Sequence, residues 1–340
     1  MRVLSYLYGL KMILNEKAIM KKVNILMAVA CLALAACQPQ GSEETDNVRV
    51  QADGIVASVA PRAAEVYSAM YPEVDVKCGL SAGEGAVDSL LSGAANVAIT
   101  ARPLTETETA RLKEKGWAVR TELLGITAPA FVINGGNDCE TLFTSELADL
   151  LSGKAAKWAD LQPSKLGDVE VVADSLSMLL LKFVSDTVAA IPEGKVKLLP
   201  DSRAVTEYVA ATPAAVGIVP VNAIAQVKRY AEMPAAELAK ILINPTEPAS
   251  ADFLPGVKVI KLRRDGADKP DAYEPYLAYV LGDAYPIATP IYITTTATVG
   301  TQADKYFKFL LNNNTGQKLM LWNSIVPAVT YRDYQKSKQK

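Results

Sequence analysis

The residues of this chain that could do chemistry, by their type and spacing, surround a glycine-rich loop. The loop runs into a short predicted helix, and the next predicted strand ends in a hydroxyl side chain and a cation. Glycine lets a backbone approach a ligand closely, and the free N–H groups at a helix N-terminus attract anions. The set could therefore bind an oxyanion; the alternatives are an ordinary strand-to-helix turn and, for the cation, a surface salt bridge. The candidates are Ser81, Gly83, Gly85, Thr100 and Arg102.

Histidine is absent from all 340 residues, and this absence excludes several kinds of catalytic site. A Ser-His-Asp triad, a Cys-His pair, a histidine general base and a histidine zinc site all require the imidazole ring. The chain also has no Walker-type loop and no Cys-x-x-Cys pair. We therefore expect a protein that is not an enzyme and that carries no metal and no cofactor.

The N-terminal region has the pattern of a bacterial export signal, with Lys21 and Lys22 preceding an apolar segment over 23–36. The alternative is a transmembrane anchor, but this segment is too short to span a bilayer comfortably. Its ending, Leu34-Ala35-Ala36-Cys37, resembles the lipobox of lipoprotein signal peptides. We predict a signal peptide over 1–36, lipid on Cys37, and a membrane-anchored protein in the periplasm or at the cell surface.

The chain after the signal is acidic and long enough for two lobes. The signal holds five basic residues and one acidic residue, so the remaining 304 residues hold 30 bases and 36 acids, a net charge of −6. Nucleic acid is therefore not an expected partner, because its recognition needs a strongly basic surface. Residues 37–47 contain almost no apolar side chain and are predicted to be a flexible tether.

Two cysteines, Cys78 and Cys139, lie outside the predicted signal and lipid site. In an oxidising compartment two such cysteines often pair, and the alternative is two unrelated buried thiols.

Strands and helices alternate along the chain, which is typical of an α/β fold with helices on both faces of parallel sheets. Thr105 is predicted to cap a helix that carries acids in its first turn. A long apolar strand is predicted over 126–134. Thr144 or Ser145 is predicted to cap the following helix, which ends at Gly153.

Several segments in a shared order resemble the phosphate-binding lipoproteins of ABC importers, within the type 2 periplasmic binding-protein superfamily. They span nearly the whole chain after the signal. These segments are 57–72, the glycine loop and following strand at 81–98, Thr100-Ala101-Arg102-Pro103-Leu104, 150–160, 215–219 and 285–292.

The resemblance implies two α/β lobes, each a mainly parallel sheet flanked by helices, joined by crossover strands. The implied lobes cover 48–127 with 284–335, and 128–283. It also implies phosphate or a similar small oxyanion bound between the lobes, delivery to a membrane ABC permease, and a monomer. In the first lobe it assigns ligand contacts to the five candidates above and to Gly54, although 53–56 lacks the hydroxyls usual there.

The second lobe departs from the family pattern. The family places an arginine and then Gly-Ser-Gly-Thr where this chain reads Ala173-Asp174-Ser175-Leu176-Ser177-Met178. Ser175 and Ser177 could still offer hydroxyls, or could cap the helix together with Asp174. Ala101 stands where a serine or aspartate is expected, and no motif identifies the aspartate that accepts the proton of monohydrogen phosphate. The alternative function is therefore a relative with a degenerate site, acting as an envelope interaction or sensory module.

Overall fold

The computed structural model describes residues 47–57, 59–81, 84–175, 177–178, 191–192, 194–224, 233–243, 256–268 and 271–338. The predicted signal peptide, the lipid site Cys37, all of the tether but Asn47, and the candidate ligand residue Gly83 lie outside the described residues.

The described strands and helices alternate over most of the chain, as predicted. In chain order the strands are β1 (Val48–Asp53), β2 (Val76–Ser81), β3 (Val97–Thr100), β4 (Arg120–Thr127), β5 (Pro129–Asn134), β6 (Thr141–Phe143), β7 (Glu170–Asp174), β8 (Val196–Leu199), β9 (Ala215–Pro220), β10 (Val257–Val259), β11 (Lys261–Arg263), β12 (Thr289–Thr295) and β13 (Val326–Pro327). The helices are α1 (Ala60–Met70), α2 (Gly85–Ser92), α3 (Glu106–Glu114), α4 (Thr144–Ser152), α5 (Ser202–Ala211), α6 (Val221–Ile224), α7 (Ala235–Ile243), α8 (Leu277–Leu281), α9 (Gln302–Leu311), α10 (Gly316–Trp322) and α11 (Ala328–Lys338).

These strands form two main sheets and one small one. The first sheet has the order β13-β4-β12-β3-β1-β2, the second β10-β5-β9-β7-β8, and β11 pairs with β6. In the first sheet β1 is parallel to β2 and β3, whereas β12 is antiparallel to both β3 and β4. In the second, β7 is parallel to β8 and β9, whereas β5 is antiparallel to β9 and β10. Each sheet is thus mixed rather than mainly parallel, because β12 in the first sheet and β5 in the second run antiparallel to both of their neighbours.

The first sheet packs against helices over an apolar core rich in aromatic rings. Tyr67 of α1 meets Tyr306 and Phe309 of α9 edge to face, with ring centroids 5.1 and 5.0 Å apart. Helix α7 joins this core through Leu238 and Leu242, although it lies within the range 128–283 predicted for the second lobe. The predicted boundaries between the lobes remain a prediction.

The second sheet has its own core, centred on Trp158 and Phe131, both fully buried. The Trp158 indole Nε1 donates to the Ala214 carbonyl at 3.0 Å, so its polar atom is satisfied inside the core. Burying an aromatic or aliphatic side chain of this kind stabilises the fold by about 1.5–3 kcal/mol.

The single apolar strand predicted over 126–134 is two strands in the structure. Strand β4 ends at Thr127 in the first sheet and β5 begins at Pro129 in the second. Proline lacks the N–H that would continue the first ladder, so the chain changes sheets here. The buried Tyr285 hydroxyl donates to the Pro129 carbonyl at 2.8 Å. This bond links a later part of the chain to the point where the chain changes sheets.

Two predicted helix starts have different outcomes. Thr105 caps α3 as predicted, in a capping box in which its Oγ1 accepts from the Glu108 N–H. The prediction that Thr144 or Ser145 caps α4 is wrong, since the N-cap residue is Phe143. Both hydroxyls instead donate to Asp265, whose carboxylate supplies the acceptor from a distant part of the sequence. The predicted end of this helix at Gly153 is confirmed, in a left-handed conformation with φ of 80°.

Within the part of the chain that the structure describes, none of the helices has the length and apolarity needed to cross a bilayer.

Cys78 and Cys139 are both free thiols, and they pack in different clusters, Cys78 against the first core and Cys139 within the second. Burial raises the pKa of each thiol to about 11, so the reactive thiolate is scarce at neutral pH.

We expect the unreduced protein, with Cys37 lipidated, to show two thiols after denaturation and slow labelling of both in the native state. Titration with a thiol reagent at pH 8, with and without denaturant, measures this. Cys78→Ser should lower the denatured count from two to one. No reactive thiol in the denatured wild type would mean that the two cysteines are bridged.

Candidate functional site

The parallel pairing of β1 with β2 and β3 brings three strand ends together at one edge of the first sheet. Asp53, the last residue of β1, is directly opposite Ser81, the last residue of β2. On the other side of β1, Ala52 is opposite Ile99, one residue before Thr100 ends β3. In α/β sheets the carboxyl ends of parallel strands are where ligands bind.

Ser81 and Gly85 lie against each other where the chain passes from β2 into α2. The Ser81 hydroxyl donates to the Ala52 carbonyl at 3.4 Å. A Cβ on Gly85 would lie 2.8 Å from the Ser81 Cβ, closer than such atoms approach in proteins. Glycine therefore allows the N-terminus of α2 to sit directly against the strand ends. Gly54 is buried at the start of the 3-10 turn Gly54–Val56, immediately after Asp53.

Asp53 is a buried carboxylate that the sequence motifs did not identify as a functional residue. Its side chain is 2 % exposed. One oxygen, Oδ2, accepts from the Ala101 N–H at 3.0 Å, and Oδ1 has no hydrogen-bond partner among the described residues. Burial raises the pKa of Asp53 to about 7, and the charge of Glu84 adds to this rise, while the Ala101 N–H and Arg102 oppose it.

This raised pKa makes the stability of the fold depend on pH. In the unfolded chain an aspartate ionises near pH 4, whereas Asp53 holds its proton until about pH 7. The folded state therefore binds more protons between these values, and its stability falls as the pH rises through this window. Above pH 7 the ionised group costs on the order of 4 kcal/mol relative to an unperturbed aspartate.

Arg102 is enclosed by two carboxylates. Its Nη1 and Nη2 donate to the two oxygens of Glu108 at 2.9 and 2.8 Å, and Nη2 also donates to Glu84. Nη1 further donates to the Pro103 carbonyl at 3.0 Å. The guanidinium lowers the pKa of Glu108 to about 2, and the bonds to Glu108 and Glu84 raise the pKa of Arg102 further above its usual range.

Thr100 is almost fully buried, and its hydroxyl donates to the Arg102 carbonyl at 2.6 Å. This bond fixes the turn that follows β3 and so holds the Arg102 backbone at the strand end.

The second sheet presents a different group at the end of β7. Asp174 accepts from the Ser177 N–H and from the Ser202 hydroxyl, each at 2.5 Å. The Ser177 hydroxyl is fully buried without a hydrogen-bond partner among the described residues, and Ser175 is exposed. Asp174 therefore caps the helical residues that follow it, of which 175, 177 and 178 are described, as the sequence allowed.

The structure thus brings together Gly54, Ser81, Gly85, Thr100 and Arg102 on the first sheet, and it places Ser175 and Ser177 on the second. Sequence reasoning missed Asp53, Glu84 and Glu108 as members of the first group. The available signal was an acid at the end of a buried strand, Asp53, and an acid inside the glycine loop, Glu84.

The first group can hold an oxyanion with backbone N–H groups, the Ser81 hydroxyl, a guanidinium and a carboxyl group that is protonated below about pH 7, whereas the Thr100 hydroxyl is used by the Arg102 carbonyl. Among the described residues, no group of three or more His, Cys, Asp or Glu side chains could hold a metal ion.

Two curated relatives align with part of the chain. The "Phosphate-binding protein PstS 2" of Streptococcus agalactiae is 25 % identical over 122 residues, which is 36 % of this chain and 40 % of that protein. The "Phosphate-binding protein PstS" of Staphylococcus saprophyticus is 26 % identical over 139 residues, 39 % of this chain and 44 % of that protein. The chain thus matches about two fifths of the length of these relatives.

Solved structures share the fold over most of the chain. A phosphate ABC transporter substrate-binding protein with bound phosphate from Clostridium perfringens has a TM-score of 0.60 and 14 % identity, covering 83 % of this chain and 99 % of that one. An ABC-type phosphate transport receptor from Vibrio cholerae has a TM-score of 0.58 and 18 % identity, covering 82 % and 99 %. These likenesses confirm the predicted two-lobed α/β fold.

The family model described as a PBP superfamily domain matches residues 38–314, which is most of the chain. The predicted membership is therefore confirmed, and this protein belongs to the PBP superfamily.

Proposed function

We propose that this protein is an extracytoplasmic solute-binding protein that captures phosphate or a similar small oxyanion for an ABC importer. The observation that carries the proposal is the meeting of Asp53, Ser81, Gly85 and Arg102 at the carboxyl edge of the first sheet. The curated relatives are named phosphate-binding proteins, and the neighbour from Clostridium perfringens holds phosphate.

In this proposal the first lobe supplies most of the ligand contacts. Ser81 offers a hydroxyl, and Gly54, Gly83 and Gly85 let backbone N–H groups approach the anion. Thr100 and Arg102 contribute from the end of β3. The second lobe contributes Ser175 and Ser177, and the anion lies between the lobes.

Asp53 fills the role for which the motifs gave no residue. With a pKa near 7 and an Oδ1 that has no partner in the described part of the chain, it can exchange a proton with the anion. Monohydrogen phosphate carries its own proton and can donate it to the ionised carboxylate. Sulfate carries none at neutral pH, so its binding requires Asp53 to hold the proton.

A second candidate function is a relative with a degenerate site that acts as an interaction or sensory module of the envelope. The observation that favours it is Asp174, a carboxylate at the strand end where the family places an arginine. For the transport proposal, the absence of this arginine removes one charged contact to the anion. We therefore expect micromolar rather than submicromolar phosphate affinity.

The proposal includes a lipid anchor on Cys37, a monomeric protein at the periplasmic or outer cell surface, and delivery of the anion to a membrane ABC permease. The anchor is supported by the lipobox-like ending of the apolar segment.

Arg102→Ala should weaken phosphate binding about ten- to a hundred-fold, because a charge-assisted hydrogen bond contributes about 1.5–3 kcal/mol. Calorimetry at neutral pH measures the affinity. Arg203→Ala is the matched control, since Arg203 is an exposed arginine paired with Glu207 on α5. No heat and no thermal stabilisation of the wild type at millimolar phosphate or sulfate would overturn the transport proposal.

Asp53→Asn should remove a pH dependence of sulfate binding. In the wild type, sulfate affinity should fall about ten-fold per pH unit above pH 7, because each bound sulfate requires a protonated Asp53. Phosphate affinity should fall less steeply, since the ligand supplies the proton. The variant should also be more stable than the wild type at pH 8, with a smaller gain at pH 5. Equal sulfate slopes in wild type and variant would exclude Asp53 from the site.

Cys37→Ser should abolish lipidation and release the protein from the membrane fraction, because each acyl CH₂ contributes about 0.8 kcal/mol of membrane partitioning. Fractionation with an immunoblot measures the distribution, and Cys31→Ser is the control within the signal. If Cys37→Ser is processed and stays membrane-bound, the anchor lies elsewhere.

A further inference from the structure

Resting on the proposed function, we propose that Glu84 is a resident carboxylate that competes with the incoming anion for Arg102. In this arrangement the ligand-free site is occupied by an anion of the chain itself, and phosphate binds by taking the place of Glu84 on the guanidinium.

The hydrogen bonds of Arg102 show which acceptors an anion at its Nη edge would have to displace. A guanidinium has four hydrogens on its two Nη atoms. Two go to Glu108, one to the Pro103 carbonyl and one to Glu84. An anion that uses the Nη edge of Arg102 must therefore displace one of these acceptors.

Glu108 is poorly suited to leave. It bonds both Nη atoms, and its carboxylate also accepts from the Thr105 N–H at 2.7 Å in the capping box of α3. Its side chain is only 17 % exposed. Displacing Glu108 would therefore break the cap of the helix as well as the ion pair.

Glu84 is held much less firmly. Its side chain is 42 % exposed, and Arg102 Nη2 is its hydrogen-bond partner among the described residues. It stands at the N-cap position of α2 but makes no capping bond to its own helix. A partly exposed single ion pair of this kind stabilises a protein only weakly, so a multiply charged oxyanion can replace it.

The position of Glu84 places its charge in the region that the anion would occupy. It lies where the N-terminal N–H groups of α2 favour negative charge, one residue from Gly85. It is also close enough to Asp53 to raise the pKa of that carboxyl. Replacement of Glu84 favours anions with two charges over singly charged ones, because a monoanion gains little from the exchange.

Calorimetry with inorganic phosphate at pH 7 on the purified mature protein tests this role. Glu84→Gln should tighten phosphate binding about three- to five-fold. Glu106→Gln is the matched control, since it removes the same charge from an exposed position in the first turn of α3. It should change the affinity less than about two-fold. Thermal unfolding confirms that each variant folds.

The decisive arm repeats Glu84→Gln in an Arg102→Ala background. If Glu84 competes through Arg102, the gain should shrink to less than about two-fold there. A gain that persists would mean general repulsion between Glu84 and phosphate, and a loss of affinity in Glu84→Gln alone would mean that Glu84 orients Arg102; either result overturns the proposal.

The outcome also separates this inference from the proposed function. Phosphate binding by the wild type with an unchanged affinity in Glu84→Gln overturns only the role of Glu84. Binding by Glu84→Gln but not by the wild type at millimolar phosphate would mean that Glu84 blocks the anion rather than exchanging with it, and overturns both. No binding by either protein at millimolar phosphate overturns both.

Discussion

The candidate site depends on the parallel register of β1 with β2 and β3. This register sets Asp53 beside Ser81 and brings the end of β3 close enough for the Ala101 N–H to bond Asp53. Helix α2 can then start directly at the strand ends, because Gly85 has no Cβ to collide with Ser81. A shift of one residue in β1 would turn Asp53 to the other face of the sheet and separate these groups.

Charge balance is the second property that shapes this edge of the sheet. One guanidinium, Arg102, lies among the carboxylates of Asp53, Glu84 and Glu108. With all three ionised the group would be strongly negative, and burial relieves this by keeping a proton on Asp53 up to about pH 7. In the proposed function, the site would therefore accept an anion without a net positive field, by exchanging a proton and an internal carboxylate rather than by attraction alone.

The second sheet also presents a helix start at a strand end, but neither an arginine nor glycines occur there. Strand β7 ends beside a helix start, as β2 does in the first sheet, yet the residue at its end is Asp174. Both oxygens of this carboxylate are used, by the Ser177 N–H and the Ser202 hydroxyl. The described part of the second sheet thus contributes a capped helix start, and the first sheet carries most of the groups that could bind an oxyanion.

The α/β alternation, the family and the capped start of α3 could be predicted from the sequence alone, which also named Ser81, Gly85, Thr100 and Arg102 as candidates. These features follow from local periodicity, capping residues and motif order. All three depend on residues that are close together in the sequence. The folded structure was needed to show that the strand predicted over 126–134 changes sheets at Ala128, that Asp265 replaces a local cap on α4, and that Asp53 is buried. It also decided that Arg102 is enclosed by Glu84 and Glu108 rather than free. The hydrogen-bond partners of these side chains are distant in the sequence or are brought close by a turn of the folded chain. The pKa of a carboxyl group also depends on burial and neighbouring charges, which no local sequence pattern encodes.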